Sequence, residues 1–302
     1  AVGGIAIAPL MGFLVLSAGW RPAAFISGVI IVAVVIPLSL LIRRDPEGMG
    51  LRPDGDSIPE NEINLTRADS GSESVARGSR PAVAILHSGE PDFTAPEAMR
   101  TPAFWMLVLA VGLRNIVHSG VSWLMVPLMV WFLMGSGRTQ DGSQPIAVAF
   151  IGVMSIALLL MTPLIGWLGD KWSKQKLSSV CMIGGALSML VLVEDTGRIW
   201  QVFAFVVLLA FSETANPLAW ALMGDFFGRR SYATLRGWQH LPDQLMSMWT
   251  PFWMGIIFDQ TGSYKWALIP LILIYCFAAV FYWIIPIPKT PARVLAYQQQ
   301  NQ

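Results

Sequence analysis

Apolar residues in this chain do not alternate with polar ones. They come in long blocks separated by short polar breaks. About 20 consecutive apolar residues make a helix long enough to cross the hydrocarbon core of a bilayer. A helix suits that medium because it satisfies its own backbone groups where no water can. Blocks at 1–18, 25–42, 104–134, 146–168, 178–193, 200–223, 239–258 and 266–285 predict eight spans. The third is too long for one straight crossing, and Pro127 predicts a kink within it. The pattern predicts an all-α, polytopic membrane protein.

Residues 43–100 interrupt the pattern. They are rich in Pro, Gly, Ser, Asp, Glu and Arg, and they read as a polar linker with a disordered middle. Its end changes character, because Thr94-Ala95-Pro96-Glu97 reads as a capping box that opens a short surface helix over 94–101. The chain therefore divides into 1–42 with two spans, the linker 43–100, a six-span segment 101–288 and a loose polar tail 289–302.

Composition agrees with the blocks. The chain has 302 residues, 54% of them hydrophobic and 13% charged, against about 25% charged in soluble domains. A net charge of +1 argues against nucleic acid as a partner. Cys181 and Cys276 both fall inside apolar blocks, which points to core packing rather than a disulfide. Tryptophans such as Trp20, Trp200 and Trp266 sit at span ends, as an interfacial belt requires.

Lysine and arginine set the orientation. The linker, the 169–177 and 224–238 loops and the tail together carry 15 of the 20 basic residues. Arg21, Arg138, Arg198 and Lys265 face the other way, and Arg114 lies within a span. The positive-inside rule puts linker and tail in the cytoplasm of a multi-pass protein of the cell membrane, with the lipid bilayer as its first partner.

The fourth and fifth blocks are joined by a tight basic hairpin, PLIGWLGDKWSKQKL. Its Gly166, Leu168, Asp170 and Lys171, followed by Lys174 and Lys176, form a GxLxD pattern running into cations. The same residues also read as an ordinary cytoplasmic turn. The pattern resembles the signature loop of the major facilitator superfamily, secondary transporters whose loop recurs between the second and third helices of each six-helix half. Trp172-Ser173-Lys174 stands where that loop has a glycine.

Gly19-Trp20-Arg21 with Arg43-Arg44-Asp45-Pro46-Glu47 resembles the fifth and sixth helices of the family. Gly224-Asp225-Phe226-Phe227-Gly228-Arg229-Arg230 looks like its turn between helices ten and eleven. The resemblance implies that the eight spans are helices five to twelve, with the first four absent from this sequence. Within the family, the chain is most similar to bacterial monocarboxylate and oxalate/formate carriers. By the same resemblance Gly166, Asp170, Lys171 and Lys174 are gating residues, and Asp170 latches onto the helix end near Gly3 and Gly4.

Ionisable residues inside spans are costly and are functional candidates for that reason. Arg114 is one, with Asn115 beside it, His118 one turn on and Ser122 beyond. A buried guanidinium can grip a carboxylate bidentately; it can also be a structural partner for a carboxylate or for helix carbonyls. Glu213 stands mid-span with Asn216, Pro217 and Trp220 on its face. It reads as a proton-coupling carboxylate or as a salt-bridge partner of Arg114, and the two are compatible. Asp243 follows Pro242; it marks specificity or, on the favoured reading, places a charge at a helix N-terminus. Arg114, Asn115, His118, Glu213, Asn216 and Asp243 are the candidate substrate residues.

No HExxH, GxSxG or P-loop spacing occurs, so neither a membrane hydrolase nor ATP-driven transport is favoured. No cofactor and no metal are called for. The function expected is secondary active transport of a small organic anion, with protons as the coupling ion. A carrier of a neutral or cationic solute, and a non-transporting scaffold, remain the alternatives.

Overall fold

The structure is a computed structural model that describes residues 14, 19–41, 93–194, 196–228, 231–289 and 291. The block at 1–18 apart from Leu14, which takes in Gly3 and Gly4, the linker up to residue 92, Asp195, Arg229 and Arg230 and most of the tail lie outside the described residues. Every regular element described is a helix, as the blocks predict. The chain falls into two units, one containing α1 and the other α2 to α11.

In the first unit, α1 (Trp20–Leu41) has apolar, exposed side chains round nearly its whole circumference. A helix apolar on all sides suits a lipid medium. Within it Ser27 Oγ donates to the Ala23 carbonyl at 2.7 Å, so its hydroxyl is satisfied inside the helix.

The second unit opens on α2 (Ala95–Met99), which is short because Pro96 and the Thr94 cap start it and Arg100 ends it. The expected capping box is present, with the Thr94 amide donating to Glu97 Oε2 at 2.8 Å. It packs on α3 (Pro102–Trp123) and α9 (Tyr232–Ser247). The remaining helices are α4 (Met125–Met134), α5 (Gln140–Lys171), α6 (Lys174–Val193), α7 (Ile199–Glu213), α8 (Ala215–Phe227), α10 (Thr250–Thr261) and α11 (Lys265–Ile284).

Three expected spans are each built from two helices. α3 gives way to α4 at Leu124, α7 to α8 at Thr214, and α9 to α10 at Met248 and Trp249. One rule places all three breaks. Pro127, Pro217 and Pro251 stand four residues after Trp123, Glu213 and Ser247, the last residues of α3, α7 and α9. A proline offers no N–H to the carbonyl four residues back, and its ring clashes with that carbonyl. The kink expected at Pro127 therefore appears one turn before it. Pro163, Pro242 and Pro270 sit inside continuous helices, so a proline alone is not sufficient for a break.

Six described helices, with α7 and α8 taken as one, are long and apolar enough to cross a membrane. The segment expected as a single span at 239–258 is instead the end of α9 followed by α10. Its helix starts at Tyr232, seven residues before the expected Gln239, and carries Arg236, Gln239, His240, Asp243 and Gln244.

Lipid tails are as apolar as leucine, so helices in a bilayer associate by close van der Waals contact and polar bonds rather than by hydrophobic exclusion. The bundle shows both. α11 packs most extensively on α6, which also meets α7; α3 sits among α9, α10 and α11. At Gly185 of α6 an added Cβ would lie 2.8 to 2.9 Å from the ring of Tyr275 in α11. At Gly120 of α3 it would lie 2.5 Å from Thr250 Cγ2 and 2.6 Å from Met254 Sδ in α10. Ser179 Oγ donates to the Ala279 carbonyl at 2.7 Å, tying α6 to α11. Cys181 is buried in this packing and Cys276 is exposed on the outside of α11. The expectation of core packing thus fails for Cys276, because an apolar block in lipid has an outer face as apolar as its inner one.

Candidate functional site

Arg114 sits in the middle of α3 and is only 3% exposed. Its guanidinium donates from Nη2 to Glu213 Oε2, at the last residue of α7, and forms an ion pair there. His118, one turn along α3, brings Nδ1 to 2.9 Å from the other oxygen, Glu213 Oε1. The same nitrogen lies 3.3 Å from Ser122 Oγ. One carboxylate is thus held between an arginine and a histidine of the same helix face, as i, i+4 spacing allows.

The second arm runs to α9. Asn115 Oδ1 accepts from Arg114 Nη1. Its Nδ2 lies 2.7 Å from both Asp243 oxygens. Asp243 is buried, and His240 Nδ1 stands 3.7 Å from its Oδ2. His240 Nε2 in turn meets Gln244 Nε2 at 3.1 Å. The result is a continuous polar chain, from His118 and Glu213 through Arg114, Asn115 and Asp243 to His240, across three helices.

The backbone explains the placement. Glu213 stands beside the break made by Pro217, where the helical ladder is interrupted. Burying charges in lipid is tolerated where they find each other. In α9 the buried positions are Leu235, Gln239, Asp243 and Ser247, a strict four-residue stripe that turns Asp243 toward α3. Asp243 is the twelfth residue of a 16-residue helix. The reading that made it an N-terminal dipole charge fails, because the helix begins a full two turns earlier than the apolar block does.

Of the six candidate residues, the structure brings Arg114, Asn115, His118, Glu213 and Asp243 together. Asn216 is half-buried in α8 and has no hydrogen bond to them. The break at Thr214 separates it from Glu213, so helical spacing no longer puts the two on one face. His240 was missed as a partner. The signal was its i, i+3 spacing to Asp243.

The hairpin between α5 and α6 is tight, as expected. Gly166 and Asp170 are exposed at the end of α5. Lys171 Nζ lies 4.0 Å above the Trp167 ring. Lys174 opens α6 and pairs with Asp225 near the end of α8, Nζ to Oδ2 at 2.6 Å. Neighbouring Gly169 is buried so closely that a Cβ there would meet Leu218 Cδ2 at 2.7 Å. The hairpin is thereby seated on α8. The Lys174–Asp225 pair was not foreseen, although both residues stand in motifs the sequence displays. The latch of Asp170 onto Gly3 and Gly4 lies outside the described residues.

Residues 116–301 match the family described as Major Facilitator Superfamily. With the bundle of membrane-length helices and the polar chain at its centre, this places the protein among membrane transporters: the chain belongs to the Major Facilitator Superfamily. The comparison with curated proteins found no match.

Proposed function

We propose that the protein is a secondary active carrier of a small carboxylic acid, working by alternating access, with Arg114 as the group that holds the carboxylate. The supporting observation is Arg114 itself. It is buried, its Nη groups are shared between Glu213 and Asn115, and its Nε edge is buried without a hydrogen-bond partner. A guanidinium presents its donors in a fixed fork that matches a carboxylate, and Nε is one tine of it.

On this reading Glu213 is the competitor. While ionised it occupies Arg114; once protonated it releases the guanidinium to an incoming carboxylate. Proton and acid then move together, because neither state leaves the arginine uncompensated. His118, half-exposed and 2.9 Å from Glu213, is the group through which the proton arrives. The breaks at Leu124, Thr214 and Met248–Trp249 give α3, α7 and α9 ends near this cluster, as in carriers whose sites lie at discontinuous helices.

The test is uptake of a labelled monocarboxylate into proteoliposomes carrying the protein, under an inward proton gradient. Arg114→Lys keeps the charge and loses the fork, and is expected to lower kcat/KM at least tenfold. Uptake unaltered by Arg114→Lys and by Glu213→Gln would place the substrate elsewhere.

A further inference from the structure

The polar chain has an imbalance of charge. It contains two carboxylates, Glu213 and Asp243, and one guanidinium, Arg114, which Glu213 already engages. Asp243 has no lysine or arginine within ion-pair distance among the described residues. Its partners are the Asn115 amide, at 2.7 Å to both oxygens, and His240 at 3.7 Å. The next cation on its own helix, Arg236, is turned to Gln239 Oε1 at 2.7 Å and lies over the Trp220 ring. A buried carboxylate whose strong bonds come from a neutral amide is a place where a positive charge is wanted.

Arg114, on the other side of Asn115, keeps one donor in reserve. Arg114 Nε is a buried, unpartnered donor. Asn115 lies between the two, accepting from Arg114 with its carbonyl and donating to Asp243 with its amide. Once Glu213 is protonated, as the carboxylate reading requires, Asn115 holds a released guanidinium and a carboxylate about one amide apart, which is the charge layout that complements a small molecule carrying both an acid and an amine.

We propose that the substrate is a zwitterionic acid, its carboxylate held by Arg114 and its protonated amine by Asp243. This rests on the carboxylate reading above and sharpens it. A simple anion would satisfy Arg114 and leave Asp243 as a second negative charge beside it, which costs affinity. An amine entering past His240, whose ring is 60% exposed, meets Asp243 Oδ2 and neutralises that charge. His240 accounts for the arrangement when no substrate is present, standing near Asp243 without bonding it closely.

The experiment compares propionate, β-alanine and ethylamine for binding to the purified protein in detergent, read by quenching of its tryptophan fluorescence. β-Alanine is expected to bind at least tenfold more tightly than propionate. Asp243→Asn should erase that preference and leave propionate affinity unchanged or higher, since the repelling charge is gone. Arg114→Lys should weaken both acids. Circular dichroism and thermal melting of each variant establish that it is folded. Equal binding of propionate and β-alanine by the unmutated protein overturns the zwitterion while the carboxylate reading stands. Binding of ethylamine alone, or of none of the three, overturns both.

Discussion

Asn115 and Asp243 are 128 residues apart in sequence, and the Asn115 amide nitrogen sits 2.7 Å from both oxygens of the Asp243 carboxylate. The contact joins α3 to α9 and is the only tight bond Asp243 receives among the described side chains. Asn115→Leu therefore removes the donor and leaves a buried charge behind. Losing the partner of a buried charged group costs about 2–4 kcal/mol. Thermal unfolding in detergent should show that loss. The double variant Asn115→Leu with Asp243→Leu should recover much of it, since replacing both members of a buried polar pair by apolar groups is close to neutral. A double variant no more stable than Asn115→Leu would mean that the unpaired Asp243 charge is not what destabilises the single variant.

The Arg114–Glu213 pair has the same logic with a functional readout. The two side chains are 4% and 8% exposed, so solvent does little to compensate either charge. Removing one partner of such a pair costs about 3–5 kcal/mol. Glu213→Gln keeps one hydrogen-bond acceptor, so the lower end of that range is expected. Arg114→Gln combined with Glu213→Gln should cost less than the sum of the two single changes, and the shortfall measures their coupling. In transport, Glu213→Gln imitates the protonated state. Uptake should then persist without a proton gradient and respond to it less.

How much of this was legible beforehand differs by level. Blocks of about 20 apolar residues define membrane helices because lipid leaves the chain no other way to satisfy its backbone, so the described helices fall close to the expected ones. Helix ends were less legible. Tyr232 begins α9 within a stretch too polar to count as a span, and the three breaks fall one turn before their prolines. Arg114 and Glu213 could be paired from sequence, since each is an expensive residue in need of the other. The arm through Asn115 to Asp243 could not, because it depends on the rotational setting of α9 against α3. That setting follows from packing and from where α9 starts. Cys276 shows the converse limit: an apolar block does not reveal which of its faces meets protein and which meets lipid.

Two glycines in helices give a clean comparison of packing. A Cβ on Gly185 would sit 2.8 Å from Tyr275 Cζ, against a ring buried in α11 whose hydroxyl shares a 3.3 Å hydrogen bond with Ser212 Oγ. A Cβ on Gly224 of α8 would meet nothing within 4 Å. Overpacking a tight interface costs about 1–3 kcal/mol. Replacing a helical glycine by alanine in open space gains about 0.5–1 kcal/mol. Gly185→Ala should therefore lower the melting temperature and Gly224→Ala raise it slightly. If both shift the same way, the close approach of α6 and α11 is not as tight as described.

Pro217 offers the sharpest test of why α7 stops at Glu213. The proline lacks the N–H that would bond the Glu213 carbonyl, and its ring pushes that carbonyl aside. Pro217→Ala restores the donor and removes the clash, so α7 and α8 can join through Thr214 into one helix. A recovered backbone bond contributes about 0.5–1.5 kcal/mol net, and melting in detergent should rise accordingly. The gain should come at a functional cost. Joining the helices turns the Glu213 side chain with its backbone and moves its carboxylate relative to Arg114 on α3 and to His118 beside it. Uptake should fall in Pro217→Ala although the protein is more stable and every polar residue of the cluster is present. Pro270→Ala is the control, because Pro270 lies inside the continuous helix α11 and no break depends on it. If Pro217→Ala and Pro270→Ala behave alike in both stability and uptake, the break at Thr214 owes nothing to its proline and the placement of Glu213 needs another cause.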